Sequence, residues 1–98
     1  MERMEYIFPA TKNIDRPAHV GVVGSGDLEI VMEPSDKLVA EVTIRTGIKG
    51  FNRTWEAVLE RFFTQHDVSA QIKINDFGAT PGVVAIRLAQ ALEVSSND

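Results

Sequence analysis

"HVGVVGSGDLEIVME", residues 19–33, decides how the chain is read. A short apolar run, Val20 to Val23, leads into Gly24-Ser25-Gly26-Asp27, the order in which a strand feeds a dinucleotide-binding turn. That fingerprint also requires a third glycine three residues on and a helix opening at the turn. The third-glycine slot holds Glu29, and the residues that follow alternate. Leu28, Ile30 and Met32 fall on one side, and Glu29, Val31 and Glu33 on the other, before Pro34. Period two is the mark of a half-buried strand. The turn therefore joins strand to strand, and a doubly wound nucleotide fold is excluded.

The alternation continues. "KLVAEVTIR", residues 37–45, sets Leu38, Ala40, Val42 and Ile44 against Val39, Glu41, Thr43 and Arg45. With Pro34-Ser35-Asp36 as the turn, the two runs are expected to form a hairpin. The period then changes, as Trp55, Val58, Leu59, Phe62 and Phe63 recur at the spacing of one helical stripe. Asn52 and Thr54 are the candidate caps, and Glu56, Glu60 and Arg61 fall off the stripe. "AQIKIND", residues 70–75 and Asp76, alternates again. In "DFGATPGVVAIRLAQALEV", Thr80 is the expected N-cap and Pro81 the first helical residue, with Val84, Leu88, Ala91 and Leu92 facing inward. Residues 4–8, "MEYIF", read as a short strand or an apolar arm, and residues 10–18 as a polar loop.

The order is strand, strand, strand, helix, strand, helix, with or without a further N-terminal strand. One-sided strands and one-sided helices make a two-layer α+β fold, a mostly antiparallel sheet with two helices on one face. Trp55, Leu59, Phe62 and Leu88 are expected to pack against Ile30, Val42, Ile44, Ile72 and Ile74. The 98 residues form a single domain, with residues 1–18 and 94–98 expected to be partly flexible.

Composition narrows the chemistry. With 10 basic and 14 acidic residues the net charge is −4, against general nucleic-acid binding. There is no cysteine, hence no disulfide, thiolate nucleophile or cysteine metal site. His19 and His66 alone make a poor metal cage. Nothing resembles a secretory signal or a membrane span, so a cytoplasmic location is expected. The sequon Asn52-Arg53-Thr54 reads as chance in that context.

Other motif readings fail on their missing parts. No Walker loop occurs, and Asp76-Phe77-Gly78 stands without the other kinase elements. It reads instead as turn chemistry, with Asp76 capping and Gly78 at positive φ. Gly24-Ser25-Gly26 is not a nucleophile elbow, although His19 precedes Ser25 by six residues. No acid, base and nucleophile cluster is visible, so no catalytic residue is assigned. Two readings remain. The turn is a simple glycine turn in an adaptor or scaffold subunit, or its flanking glycines strip side chains from around Ser25 so that a modifying enzyme can reach the hydroxyl. Asp27, Glu29 and Glu33 read either as the solvated face of a strand or as an acidic docking edge.

"VGVVGSGDLEI" together with "NDFGATPGVV" resembles the acyl carrier (delta) subunits of bacterial malonate decarboxylase, relatives of the citrate lyase acyl carriers. The likeness runs through roughly residues 5–93 and is most specific in those two motifs. It implies that Ser25 carries 2′-(5″-phosphoribosyl)-3′-dephospho-CoA through a phosphodiester, supported by Gly24, Gly26 and Asp27. It further implies a carrier of acetyl and malonyl thioesters, working with an acyl transferase, a decarboxylase pair and the transferase that attaches the group. Physics does not separate the malonate carrier from the citrate type; the resemblance alone does. Whether Asp76 approaches Ser25 depends on the tertiary fold.

Overall fold

The structure is a computed structural model that describes residues 2–21 and 27–96. Its strands are β1 (Glu2–Pro9), β2 (Ala18–Val20), β3 (Leu28–Pro34), β4 (Val39–Thr46) and β5 (Ala70–Asp76). Helix α1 (Asn52–Gln65) joins β4 to β5, and α2 (Pro81–Ser96) follows β5. The alternation read in the sequence sets the faces. Leu28, Ile30 and Met32 of β3, Ala40, Val42 and Ile44 of β4, and Ile72 and Ile74 of β5 are all buried. Their neighbours Glu29, Thr43, Arg45, Lys73 and Asn75 lie on the other face, which the helices leave open. The residues at 4–8 belong to a full strand, with Met4 buried and Tyr6 and Phe8 packed against the core.

The strand order is β1-β4-β5-β3-β2. This corrects one expectation: β3 and β4 do not form a hairpin, because β5 lies between them, antiparallel to β3 and parallel to β4. The sheet is mostly antiparallel, as expected, with β4 and β5 parallel, since β4, α1 and β5 form a crossover unit, the connection that a parallel pair requires. Alternation reports which face a residue occupies and is silent about which strand lies alongside. Pro-Ser-Asp also lacks the Asn-Gly type of signal that favours a tight hairpin turn. The connection crosses the start of β5 instead, where the Ser69 hydroxyl donates to the Ser35 carbonyl at 2.6 Å. Leu38, expected on the buried side of β4, is 57% exposed and adopts φ 59° in that connection.

Residues 10–18 are more than a polar loop. Ala10, Ile14 and Ala18 are buried, and the amides of Asp15 and Arg16 donate to the Ser95 carbonyl at 3.0 and 3.1 Å. Those bonds satisfy a carbonyl that the end of a helix leaves without an intrahelical partner.

Helix α1 buries Trp55, Leu59 and Phe62, with Val58 and Phe63 half-buried. Its N-cap is Phe51, without a side-chain cap bond, rather than Asn52 or Thr54, both of which lie within the helix. Phe63 stacks on Phe8 at 4.8 Å between centroids, tying α1 to the edge strand β1. Helix α2 starts as its sequence reads: Pro81 is its first residue and the Thr80 hydroxyl accepts the Val83 amide at 3.3 Å. Val84, Leu88 and Ala91 face the sheet, while Leu92 is half-buried. The expected core of Trp55, Leu59, Phe62 and Leu88 against the β3, β4 and β5 isoleucines and Val42 forms one cluster. Among the described residues no helix is long and apolar enough to cross a membrane.

Phe62 is 6% exposed and touches Phe63 edge-on. Removing a buried aromatic ring costs the transfer energy of its atoms and the cavity left behind, roughly 3–5 kcal/mol. Phe62→Ala should therefore lower the unfolding free energy by that amount in urea denaturation, a large share of what a domain of this size possesses.

Candidate functional site

Ser25, Gly24 and Gly26 lie outside the described residues, but both feet of their loop are within them. On the entering side, Gly21 follows the last residue of β2 at φ +88°. A Cβ placed there would stand 2.0 Å from the Leu28 carbonyl oxygen, a distance no side chain tolerates. The chain thus leaves β2 pressed against the start of β3, and only glycine permits the approach. Gly21 lies inside the stretch "VGVVGSGDLEI", but sequence reasoning assigned it no role of its own.

The returning foot is Asp27. Its Oδ1 accepts the Leu28 amide at 2.7 Å, and its Oδ2 accepts Nη2 of Arg87 at 3.0 Å. Its carbonyl accepts the Phe77 amide at 2.8 Å. One residue thereby ties the loop to β3, to α2 and to the turn after β5. Arg87 was also missed by sequence reasoning. Its signal was present, as the only cation in the α2 sequence, interrupting an otherwise apolar run. The Arg87 hydrogen bond, followed by that of the Leu28 amide, holds the Asp27 carboxyl below its ordinary value.

The turn after β5 stands beside this foot because Asp76 pairs in register with Leu28. Asp76 is buried, yet its Oδ1 accepts the amides of Gly78 and Ala79 at 3.2 and 2.9 Å, and its Oδ2 accepts the Thr46 hydroxyl at 2.8 Å. Gly78 adopts φ 106°. The expected turn chemistry of Asp76, Gly78 and Thr80 is present, and Asp76 also bridges to β4. Its relation to Ser25 falls outside the described residues.

Of the three acids at 27, 29 and 33, two are engaged by other side chains. Glu29 accepts Nδ2 of Asn75 at 2.9 Å and shares a 2.8 Å contact with Nε2 of His19. These bonds, Asn75 first, depress its carboxyl below the ordinary range. Asp27 is engaged by Arg87, which leaves Glu33 as the exposed acid of the three. His19 is occupied by Glu29 and is not a spare base.

Gly21→Ala should destabilise the chain by at least ~1–3 kcal/mol in urea denaturation, through the left-handed backbone and the clash with Leu28. The Asp27 clasp gives a pH signature. A carboxyl whose folded pKa lies below its unfolded value of 3.8 contributes stability that is fully present above that pH. The contribution is lost as pH falls through the folded pKa. The melting temperature of the parent should therefore fall more steeply below about pH 4 than that of Asp27→Asn. Equal slopes would remove Asp27 from the acid response.

The comparisons with known proteins follow this geometry. The family model described as "Malonate decarboxylase delta subunit (MdcD)" matches residues 15–95. The malonate decarboxylase acyl carrier protein of Azotobacter vinelandii is 43% identical over 99% of both chains. That of Pseudomonas fluorescens is 40% identical over the full length of both. Among solved structures, a chain of a Pseudomonas malonate decarboxylase hetero-tetramer in complex with malonate superposes with a TM-score of 0.91 at 41% identity, covering 96% of this chain and 98% of that one. Sequence motif, fold and near-complete alignment agree, and the chain belongs to the malonate decarboxylase delta-subunit family of acyl carrier proteins.

Proposed function

We propose that Ser25 is the attachment point of 2′-(5″-phosphoribosyl)-3′-dephospho-CoA, joined to the serine oxygen as a phosphodiester. The observation that carries this reading is the clasp on the loop. Asp27, two residues from Ser25, is held by Arg87, Leu28 and Phe77, while Gly21 packs against Leu28 at the other foot. A carrier must present one hydroxyl to a modifying enzyme without letting the rest of the fold move, and two fastened feet provide for that. Gly24 and Gly26 bring no side chain to either side of the serine in the sequence, and Asp27, which follows them, is fastened to Arg87 and Leu28.

The residues of this chain fit such a group. A carrier of acyl thioesters needs a thiol, and the sequence has no cysteine. When bound, the group supplies that thiol, on which acetyl and malonyl are carried. The protein's own residues position the arm. His19, the histidine nearest Ser25 in sequence, is committed to Glu29, so activation of the serine falls to the attaching enzyme. By analogy with the Pseudomonas hetero-tetramer, the chain works within a multi-subunit complex. The motif resemblance gives its partners as an acyl transferase and a decarboxylase pair.

Intact mass of the chain isolated from its native host tests the reading directly. A mass increase equal to the phosphoribosyl-dephospho-CoA group is expected, and fragmentation should place it on Ser25. Ser25→Ala should melt like the parent, because the change removes one hydroxyl and no apolar group. It should accept no group and should leave the reconstituted complex unable to decarboxylate malonate. An unmodified mass from an active native complex would overturn the proposal and return the chain to the role of a scaffold subunit.

A further inference from the structure

The open face of the sheet carries a feature whose sign opposes that of the whole chain. Arg3 of β1 pairs in register with Arg45 of β4, Arg45 with Asn75 of β5, and Asn75 with Glu29 of β3. Lys73 lies two residues before Asn75, opposite Thr43. Arg3, Thr43, Arg45, Lys73 and Asn75 line a hollow of about 240 Å³. Three of the chain's ten basic residues thus meet in one concavity of a molecule with net charge −4.

The acids around the hollow do not neutralise it. Glu29 is already bonded to Asn75 and His19. Glu41 is paired with Lys37 at 3.5 Å. Glu5 touches Arg3 at 3.9 Å with both side chains mostly exposed, a contact worth little. Among the described residues, neither Arg45 nor Lys73 makes an ion pair. The strand cations gather at one end, since the far row of the same face holds Ile7, Glu41, Gln71 and Glu33. That end is the one from which β3 leaves Asp27. Glu29 and Arg45 are two strand spacings apart, about 10 Å.

We propose that this hollow is an anion site for the pyrophosphate of a dephospho-CoA moiety, and that it holds the arm of Ser25 against the open face of the sheet. The proposal rests on the Ser25 reading for the identity of its occupant. Guanidinium forks suit phosphate oxygens, and two arginines with a lysine, a hydroxyl and an amide offer both charge and directed donors. The arm has reach of its own, because two ribose rings separate the serine phosphodiester from the pyrophosphate. Affinity for the free nucleotide can be weak, since tethering supplies an effective concentration on the order of millimolar. The hollow is small and concave and fits a phosphate-sized group better than a broad acidic protein surface.

The test uses the apo chain, prepared without the attaching enzyme, titrated with free dephospho-CoA and followed by amide NMR. Shifts are expected at Arg3, Thr43, Arg45, Lys73 and Asn75, weakening with salt. Adenosine and pantetheine, which lack the pyrophosphate, should not produce them. The double variant Arg45→Gln with Lys73→Gln should bind about tenfold more weakly or worse, with an unchanged melting temperature. In the loaded chain, the same variant should move the pyrophosphate resonance in ³¹P spectra. Shifts that are absent, lie elsewhere or appear equally with adenosine would overturn the site. So would a variant that binds dephospho-CoA like the parent but fails to assemble with the other subunits, which would assign the hollow to an acidic protein partner. The two readings fail separately. Ser25→Ala should still bind free dephospho-CoA in the hollow, whereas a native chain without an adduct refutes attachment and leaves this titration untouched.

Discussion

Strand β5 hydrogen-bonds on both edges, parallel to β4 and antiparallel to β3, while its Ala70, Ile72 and Ile74 are fully buried beneath the helices. The rest of the molecule is arranged around that constraint. A parallel neighbour demands a crossover, which α1 supplies, and α1 then packs beside α2 and towards β1, where Phe63 stacks on Phe8. The end of β5 must turn at once into α2, and Asp76 makes the turn possible by accepting two amides of the turn and the hydroxyl of Thr46. Because Asp76 pairs with Leu28, the same turn abuts the returning foot of the glycine loop. A strand inserted at the centre of the sheet thus joins the core to the site.

The site is held by polar contacts of modest individual strength. The Asp27–Arg87 pair is about a quarter exposed and would contribute little as an isolated bridge near the surface. Its importance is geometric. It works together with the Leu28 amide, the Phe77 amide and the close approach at Gly21, so that each foot is fixed by a contact a different part of the chain provides. Such placement matters more than burial, because two fastened feet fix where the chain leaves β2 and where it returns to β3.

Charge is distributed with the same economy. The helix face of the sheet is mostly apolar, so apart from the buried Asp76 the titratable side chains of the central strands fall on the open face, where Glu29 is hydrogen-bonded by Asn75 and His19 and the cations of β1, β4 and β5 converge. A net acidic chain therefore presents a local basic hollow beside the strand that leaves the loop. Net charge describes long-range behaviour; recognition of a phosphate depends on the few groups within reach of it.

The sequence by itself determined the elements and their faces. Alternation placed Ile30, Val42, Ile44, Ile72 and Ile74 inside, the 3.6-residue stripe placed Trp55, Leu59 and Phe62 against them, and Thr80-Pro81 marked the start of α2. Two motifs carried the likeness that led to the family. These features were legible because each depends on local backbone geometry or on residues close together in the chain. The tertiary structure alone decided that β5 separates β3 from β4, that Ile14 enters the core, that Arg87 reaches back to Asp27 across sixty residues, and that Arg3, Arg45 and Lys73 meet. Periodicity states which side of a strand is apolar, not which strand lies next to it. Contacts between distant residues follow from that pairing, and so become visible only in the folded chain.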